Sequence, residues 1–220
     1  MNNKNLIKVC LVDDHVLLRN ALAVLLDKSG SCQVIMQASN GKELIDMLPK
    51  NTKPDVILLD MNMPIMDGHQ TSIWLKNNYP EIKVLMLTMY DSEIALIRLL
   101  QAGVVGFMKK DVHPNEMINA IHLVLNQGFY YSSNTSSKLA GLFREANDTS
   151  FLLHKVMFDA TEIEFLKLVC TELTYKEIAI QMKLNPRSID TIRDSLFTRL
   201  DVKSRVGLAM YAIRHGIVNP

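Results

Sequence analysis

Four short apolar runs in the first half of the chain each lead into a polar side chain, and this pattern constrains the fold more than any other feature of the sequence. A buried strand should not end on a carboxylate unless water, a partner group or a cation lies at its tip. In an open parallel sheet the carboxyl ends of the strands share one edge, where ligands bind. We therefore expect one site at that edge. It would contain Asp13 and Asp14 after residues 9–12, Asp60 after 56–59, Thr88 after 84–87, and Lys109 and Lys110 after 104–108.

Short apolar runs alternate with helix-period segments from Leu6 to about Gln127. Such alternation is typical of right-handed βαβ units around a parallel sheet, so we predict five strands and five helices of the α/β class. Two helix starts carry capping signals, Asp91 and the pair His113-Pro114. The strands are predicted at 6–13, 33–38, 55–60, 82–88 and 104–108, and the helices at 15–28, 41–48, 68–78, 91–102 and 114–127.

After Phe158 the strand pattern stops and four helical segments follow, predicted at 160–171, 175–182, 186–199 and 204–214. Three of them carry start signals: Asp159 with Glu162, Thr174 with Glu177, and Asn185 before Pro186. A short helix, a tight turn and a longer capped helix form a helix-turn-helix. We therefore divide the chain into a first domain (1–128), a linker with one short helix near 138–145 (129–157), and a C-terminal all-α four-helix domain (158–220).

Composition excludes several classes of protein. No apolar stretch reaches the roughly 18 residues of a membrane span, and the first apolar run leads into Asp13 rather than a cleavage site, so we expect a cytoplasmic protein without a membrane anchor. The three cysteines are scattered and the six histidines form no zinc-binding pattern, so any metal would be a hard cation on carboxylates. From Asn185 onward six basic residues face three acidic ones, a mild lean toward a polyanion.

The residues of the predicted edge suit phosphoryl chemistry. Asp60 is the candidate phosphoryl acceptor, and Asp13 and Asp14 would gather Mg²⁺ beside it. Lys110 would pair with the phosphoryl oxygens and Thr88 would hydrogen-bond to one of them. The alternative is a solvated strand-to-helix turn in which Asp14 caps the next helix, with His15 as a turn residue.

Four segments resemble the receiver-domain motifs of bacterial two-component response regulators. They are residues 12–15 (Val-Asp-Asp-His), 58–64 (Leu-Leu-Asp-Met-Asn-Met-Pro) with Asp67 and Gly68, 87–88 (Leu-Thr), and 106–111 (Gly-Phe-Met-Lys-Lys-Asp). The resemblance implies a flavodoxin-like (βα)5 receiver with a parallel five-stranded sheet. It also implies phosphoryl transfer to Asp60 from a phosphohistidine on a cognate sensor histidine kinase.

The same resemblance implies roles for individual residues. Mg²⁺ would be held by Asp14, Asp60 and the backbone carbonyl of Asn62, with Asp13 acting through water, and family spacing favours Lys110 over Lys109. Phosphorylation adds a charge of about −2 and would draw Thr88 toward it. Phe107 would then rotate into the space that Thr88 leaves and reshape the face of helices 91–102 and 114–127. In the alternative, Phe107 is an edge-strand aromatic in packing contact. Asn62 and Tyr90 lie where receivers tune dephosphorylation.

Residues 158–162, 175–179 and 202–205 resemble the helix-turn-helix DNA-binding domain of the NarL/FixJ (LuxR-type) class. On the third helix Ile189, Ile192, Leu196 and Leu200 recur at core spacing. The predicted DNA-binding residues are Arg187, Ser188, Asp190, Thr191, Arg193 and Asp194 on this helix, with Lys176 and Lys203 reaching phosphates. The chain departs from the family at Asp190 (usually lysine), Ile192 (often histidine) and Glu172 (often glycine). Asp190 and Asp194 either accept from cytosine amino groups or, for Asp190, pair with Arg187 and Arg193.

Together these features predict a transcription factor whose binding to double-stranded promoter DNA is controlled by aspartate phosphorylation and that dimerises on activation. Such a receiver catalyses only its own phosphorylation and dephosphorylation, so the chain is not an enzyme in the ordinary sense. Two rivals stay open: a phosphohydrolase with Asp60 as nucleophile, although Asn62 offers no general acid, and a regulator whose acidic helix meets a protein rather than DNA.

Overall fold

The computed structural model of the chain describes residues 6–88, 93–131 and 158–218, without the side chains of residues 93 and 94. Contacts divide it into two compact units, a first unit built on a sheet and a second that is helical. Up to residue 131 the described chain contains, in order, β1 (Ile7–Val12), α1 (Val16–Lys28), β2 (Cys32–Ala38), α2 (Gly41–Met47), a 3-10 turn (Leu48–Lys50), β3 (Val56–Asp60), α3 (Gly68–Asn78), β4 (Lys83–Leu87), α4 (Glu93–Gln101), β5 (Gly106–Met108), α5 (Pro114–Gln127) and β6 (Tyr130–Tyr131).

The sheet is parallel throughout, with the strand order β2-β1-β3-β4-β5-β6. Its central strands are buried on both faces, which explains why β3 and β4 were visible in the sequence as continuous apolar runs rather than alternating patterns. The predicted α/β class and the parallel sheet are confirmed. Most predicted bounds fall within one or two residues of the observed ones, and α3 and α5 match at both ends.

The sheet has six strands rather than the predicted five, and the sixth begins in the segment that we assigned to the linker. Gly128 caps α5 in the left-handed conformation, with φ of 86°, and turns the chain back toward β5. The Tyr130 N–H then donates to the Val105 carbonyl, and the Tyr130 hydroxyl donates to Glu116 Oε1 on α5 at 2.8 Å. A strand of two residues is too short to show any periodicity, so it could not be predicted from the sequence.

Helix starts follow local capping chemistry. His113 accepts from the Asn115 N–H at the start of α5, with Pro114 in the first helical position as predicted. The alternative in which Asp14 caps α1 is wrong, because the N-cap is His15 and no side chain caps that end. The predicted cap Asp91 and the predicted short helix at 138–145 lie outside the described residues.

The described residues 158–218 form α6 (Ala160–Val169), α7 (Tyr175–Gln181), α8 (Pro186–Leu200) and α9 (Arg205–Arg214). Both predicted capping boxes are formed, at the starts of α6 and α7, and Asn185 caps α8 by accepting from the Ser188 N–H. The predicted core face of α8 is confirmed, with Ile189, Leu196 and Leu200 buried and Ile192 packed against the same core. Across the described residues, we find no helix with the length and apolar character of a membrane span.

Candidate functional site

Of the polar residues predicted to converge at the carboxyl edge of the sheet, Lys110 lies within ion-pair distance of both Asp13 and Asp60. Asp13 follows β1, Asp60 ends β3, and both carboxylates are buried. Lys110 follows β5, and its Nζ lies 3.0 Å from Asp13 Oδ2 and 2.8 Å from Asp60 Oδ2. Lys110 is 18% exposed, so this ammonium group approaches the two carboxylates in a partly dehydrated environment.

His15 also belongs to this group of residues. The sequence did not predict that its ring would contact the carboxylates. Its Nδ1 lies 2.9 Å from Asp14 Oδ1 and 3.1 Å from Asp13 Oδ1. Its backbone N–H also donates to Asp13 Oδ1 at 2.8 Å, which holds the turn into α1. His15 is therefore a turn residue, as interpreted, but its ring also contacts the two carboxylates. The adjacent polar run 13–15 was the only available signal.

The donor atoms of this group fit a divalent cation. One ligand atom from each of Asp13, Asp14, His15 and Asp60 lies within 4.8 Å of the others. Three carboxylates facing the single ammonium of Lys110 leave an excess of two negative charges, which a divalent ion would balance. Carboxylate oxygens are the ligands that hard cations such as Mg²⁺ prefer.

Burial and pairing shift the pKa values of the central groups in ways that bear on this chemistry. Burial raises the pKa of Asp60 above its ordinary value, although the Lys110 ammonium and the Asn62 backbone N–H oppose the change. Burial alone would lower the pKa of Lys110, but its interactions with Asp60 and Asp13 outweigh that effect and hold it above the ordinary value. Lys110 therefore stays charged near neutral pH.

The loop from β3 to α3 packs tightly behind Asp60. A Cβ on Gly68 would press against the carbonyl oxygen of Asp60 and lie 2.9 Å from Met61 Cα, so only glycine fits there. Ile65 in the same loop has φ of 68° and is 82% exposed, an unusual conformation for a β-branched residue. The Gly68 N–H donates to the Met61 carbonyl, which closes the loop. This packing fixes the backbone that carries Asp60.

Thr88 and Phe107 occupy neighbouring strands next to this site. Thr88 follows β4, is buried, and donates its backbone N–H to the Met108 carbonyl. Phe107 in β5 is also buried, and its ring stacks on that of Tyr131 at a centroid distance of 5.6 Å. The edge position that the alternative gave Phe107 is wrong, because β6 lies outside β5, but its packing contact is formed. Tyr90 lies outside the described residues.

Most of the predicted DNA-binding residues are exposed on the helix-turn-helix. Arg187, Asp190, Thr191 and Asp194 are exposed along α8, and Ser188 is half-buried because its hydroxyl bonds to the cap residue Asn185. Lys176 at the start of α7 and Lys203 before α9 are both exposed. An open depression at the start of α8 is lined by Asn185, Pro186, Arg187, Ser188 and Thr191.

Ion pairs on α8 differ from the pattern we considered. Arg193 pairs with both Asp190, at 2.7 Å from Nη1 to Oδ1, and Asp194, at 2.8 Å from Nη2 to Oδ1. Within the described ranges Asp190 makes no ion pair with Arg187, so that half of the alternative is wrong. A helical step of three residues brings Asp190 beside Arg193, and the i,i+1 pair with Asp194 closes through Nε as well.

Comparisons with known proteins agree with this two-part architecture. Residues 9–122 match the family described as the response regulator receiver domain, and residues 158–212 match the family described as bacterial regulatory proteins of the luxR family. The chain is 32% identical to the response regulator GacA of Pseudomonas syringae pv. syringae (strain B728a) over 97% of this chain and 99% of GacA. It is 27% identical to the response regulator UvrY of Escherichia coli (strain K12), over 97% of each.

A solved structure shares the fold. RcsB of Salmonella enterica serovar Typhimurium, bound to a promoter, superposes with a TM-score of 0.67 at 21% identity, over 94% of this chain and 98% of RcsB. The parallel sheet with its acidic edge and the helix-turn-helix define a signalling regulator with a receiver and an output domain. The chain belongs to the two-component response regulators, in the NarL/FixJ class whose output is a LuxR-type helix-turn-helix. It is thus a transcription regulator and not a conventional enzyme.

Proposed function

We propose that Asp60 is the phosphoacceptor and that its phosphorylation by a sensor histidine kinase controls the binding of the second unit to promoter DNA. The observation that carries this proposal is the position of Asp60 at the tip of β3, with Lys110 Nζ 2.8 Å from its Oδ2. Asp60 is the acidic residue of the group that ends a central strand, beside both an ammonium group and the other carboxylates.

The transfer step follows from these contacts. A carboxylate oxygen of Asp60 attacks the phosphorus of a phosphohistidine, the phosphorus–nitrogen bond breaks, and the histidine ring leaves as the imidazole. Lys110 pairs with the phosphoryl oxygens, whose charge develops in the transition state. Asp14, Asp60 and the Asn62 carbonyl would hold Mg²⁺, with Asp13 acting through water, and Mg²⁺ would neutralise the carboxylates so that an anionic phosphoryl group can approach. Hydrolysis of the acyl phosphate returns the receiver to its starting state.

Switching rests on the neighbours of Asp60. A phosphoryl group brings about two negative charges to the tip of β3, and the Thr88 hydroxyl moves to bond with it. Phe107 then rotates into the space that Thr88 leaves, and its stack on Tyr131 carries the change to the outer strand β6. The face built from α4 and α5 responds to this rearrangement.

The second unit supplies the output. Ser188, Asp190, Thr191, Arg193 and Asp194 enter the major groove, and Arg187 at the start of α8 contacts phosphates together with Lys176 and Lys203. RcsB has been solved as dimers bound to DNA, and a homodimer here would place two helices α8 on adjacent half-sites. A protein that binds promoter DNA must be in the compartment that contains the DNA, so we assign the protein to the cytoplasm.

Intact-mass spectrometry after incubation with acetyl phosphate and MgCl2 tests the assignment of Asp60. We expect a labile gain of one phosphoryl group in the native chain and none in Asp60→Asn. Asp46→Asn serves as the control, because Asp46 is an exposed carboxylate that pairs with Lys42 on α2. A gain retained by Asp60→Asn would refute the phosphoacceptor assignment.

A second measurement tests the output. Fluorescence anisotropy with labelled promoter fragments should show tighter binding after phosphorylation of the native chain and no change for Asp60→Asn. Equal binding before and after phosphorylation would refute the coupling while leaving the receiver chemistry intact.

A further inference from the structure

Arg193 on α8 is held by three neighbours before any DNA is present. Its Nε donates to Asp194 Oδ1 at 2.9 Å, and its Nη2 lies 2.8 Å from the same atom. Its Nη1 donates to Asp190 Oδ1 at 2.7 Å. Its Cζ lies 5.4 Å from the centroid of the Tyr175 ring on α7, a cation–π distance. The side chain is 25% exposed, against 54% for Asp190 and 63% for Asp194.

The ring beneath Arg193 is itself anchored. Tyr175 stacks nearly parallel to Phe165, which is fully buried in the core of the second unit, at a centroid distance of 6.2 Å. Arg205 lies over the same ring at 5.5 Å and donates to the carbonyls of Val169 and Thr171. The platform for Arg193 is therefore rigid, and much of the side-chain entropy that an arginine usually loses on binding is lost here on folding.

The three contacts leave part of the guanidinium available. An arginine has five N–H donors, and two of them, on Nε and Nη1, donate to the carboxylates, while Nη2 lies within ion-pair distance of Asp194, so at most three are engaged and at least two remain. Two is the number of donors that the O6 and N7 acceptors of guanine receive in the major groove. The carboxylates on either side also repel phosphates, so a base edge is a more favourable partner for this face of α8 than the DNA backbone.

Resting on the proposed function, we propose that Arg193 reads a guanine in the major groove and that Asp190 and Asp194 are positioning residues for it. The two acidic residues, which repel phosphates, thus serve base selection rather than affinity. Arg187 differs, since no ion pair to it is found within the described ranges and it borders the open depression at the start of α8. Its charge is available to phosphates.

Selection from a random duplex pool with the full chain, phosphorylated by acetyl phosphate, tests this role. The native chain should select a guanine at one position of each half-site. Arg193→Lys keeps the charge but loses the fork of donors, so it should lower the preference at that position about tenfold and leave the others unchanged. Asp194→Asn and Asp190→Asn should weaken the same preference without lowering affinity for an unselected mixed-sequence duplex. Asp190→Glu should restore it.

Asp201→Asn is the matched control, because Asp201 is an exposed acid on the left-handed C-cap of α8, a conformation that asparagine adopts readily. This variant removes one negative charge, and we expect it to select the same bases as the native chain. The positioning role would be overturned if the Asp190 and Asp194 variants bound every sequence more tightly by the same factor and kept the native base preference. An unchanged guanine preference in Arg193→Lys would overturn the reading role. A native chain that binds no duplex would overturn the proposed output itself, while its mass gain on phosphorylation would still be seen.

Discussion

Lys110 Nζ lies 2.8 Å from Asp60 Oδ2, although β4 separates the strand that Lys110 follows from the strand that Asp60 ends. The long side chain crosses the tip of β4 and reaches on to Asp13 beyond β3. One ammonium group therefore links the carboxyl ends of three elements that are distant in sequence. Its removal would leave buried carboxylates that repel each other.

Lys110→Ala should lower the free energy of unfolding in metal-free buffer by about 3 kcal/mol, because it leaves buried carboxylates without their cation. Millimolar MgCl2 should recover more of the loss in this variant than in the native chain. Thermal or urea unfolding with and without a chelator measures both effects. Lys109→Ala is the control, since Lys109 is the exposed neighbour, and an equal loss in both variants would contradict the role given to Lys110.

Asp60→Asn should raise stability at pH 7 in metal-free buffer. Burial raises the pKa of Asp60 in the folded chain, so the folded state binds this proton more tightly than the unfolded state does. Stability is then highest with the carboxyl protonated and falls as the pH rises through the raised pKa. The raised pKa of Lys110 acts only at high pH, where its stabilising charge is lost.

The measurement is the melting temperature of the two proteins across pH. The asparagine variant should melt a few degrees higher at pH 7, and the difference should shrink toward the ordinary carboxyl pKa of about 4. A variant that melts lower at pH 7 would mean that pairing with Lys110 outweighs burial.

Gly68→Ala should destabilise the first unit by about 2 kcal/mol, even though alanine favours helices. Its Cβ would press on the Asp60 carbonyl and on Met61, and backbone atoms cannot move aside as a flexible side chain can. Denaturant unfolding measures the stability, and intact mass should show slower phosphorylation because Asp60 is displaced. Native stability in this variant would show that the loop relaxes without cost.

Arg187→Ala should weaken binding to all duplexes by a similar factor and reduce the slope of log affinity against log salt by about one. The reason is that one phosphate contact, with its released counterion, is lost. Anisotropy titrations from low to moderate NaCl give the slope. Lys42→Ala removes the same charge from α2 in the first unit and should leave the slope unchanged. A change in base preference in Arg187→Ala would instead place Arg187 on a base edge.

The sequence alone determined the elements whose causes are local. Continuous apolar runs predicted β1, β3 and β4, because strands buried on both faces need no polar residues. Capping residues and proline predicted the starts of α5, α6, α7 and α8, since the capping hydrogen bonds join residues two or three positions apart. The shared edge of a parallel sheet predicted that Asp13, Asp60 and one of Lys109 and Lys110 would meet, and the resemblance to receiver domains favoured Lys110.

Tertiary structure decided the contacts between segments that are distant in sequence. It also decided which partner a side chain takes where the spacing allows more than one. The strand β6 exists because Tyr130 pairs with Val105 and bonds to Glu116, and neither contact leaves a pattern in two residues. Spacing allowed Asp190 to pair with Arg187 or with Arg193, and the Tyr175 ring on another helix gives the Arg193 guanidinium a surface to lie on. His15 was visible as a turn residue, but only the folded loop turns its ring toward Asp13 and Asp14. Hydrogen bonds between residues close in sequence can be predicted from the sequence, because both partners are visible there. Partners that are distant in sequence depend on which surfaces the fold brings together.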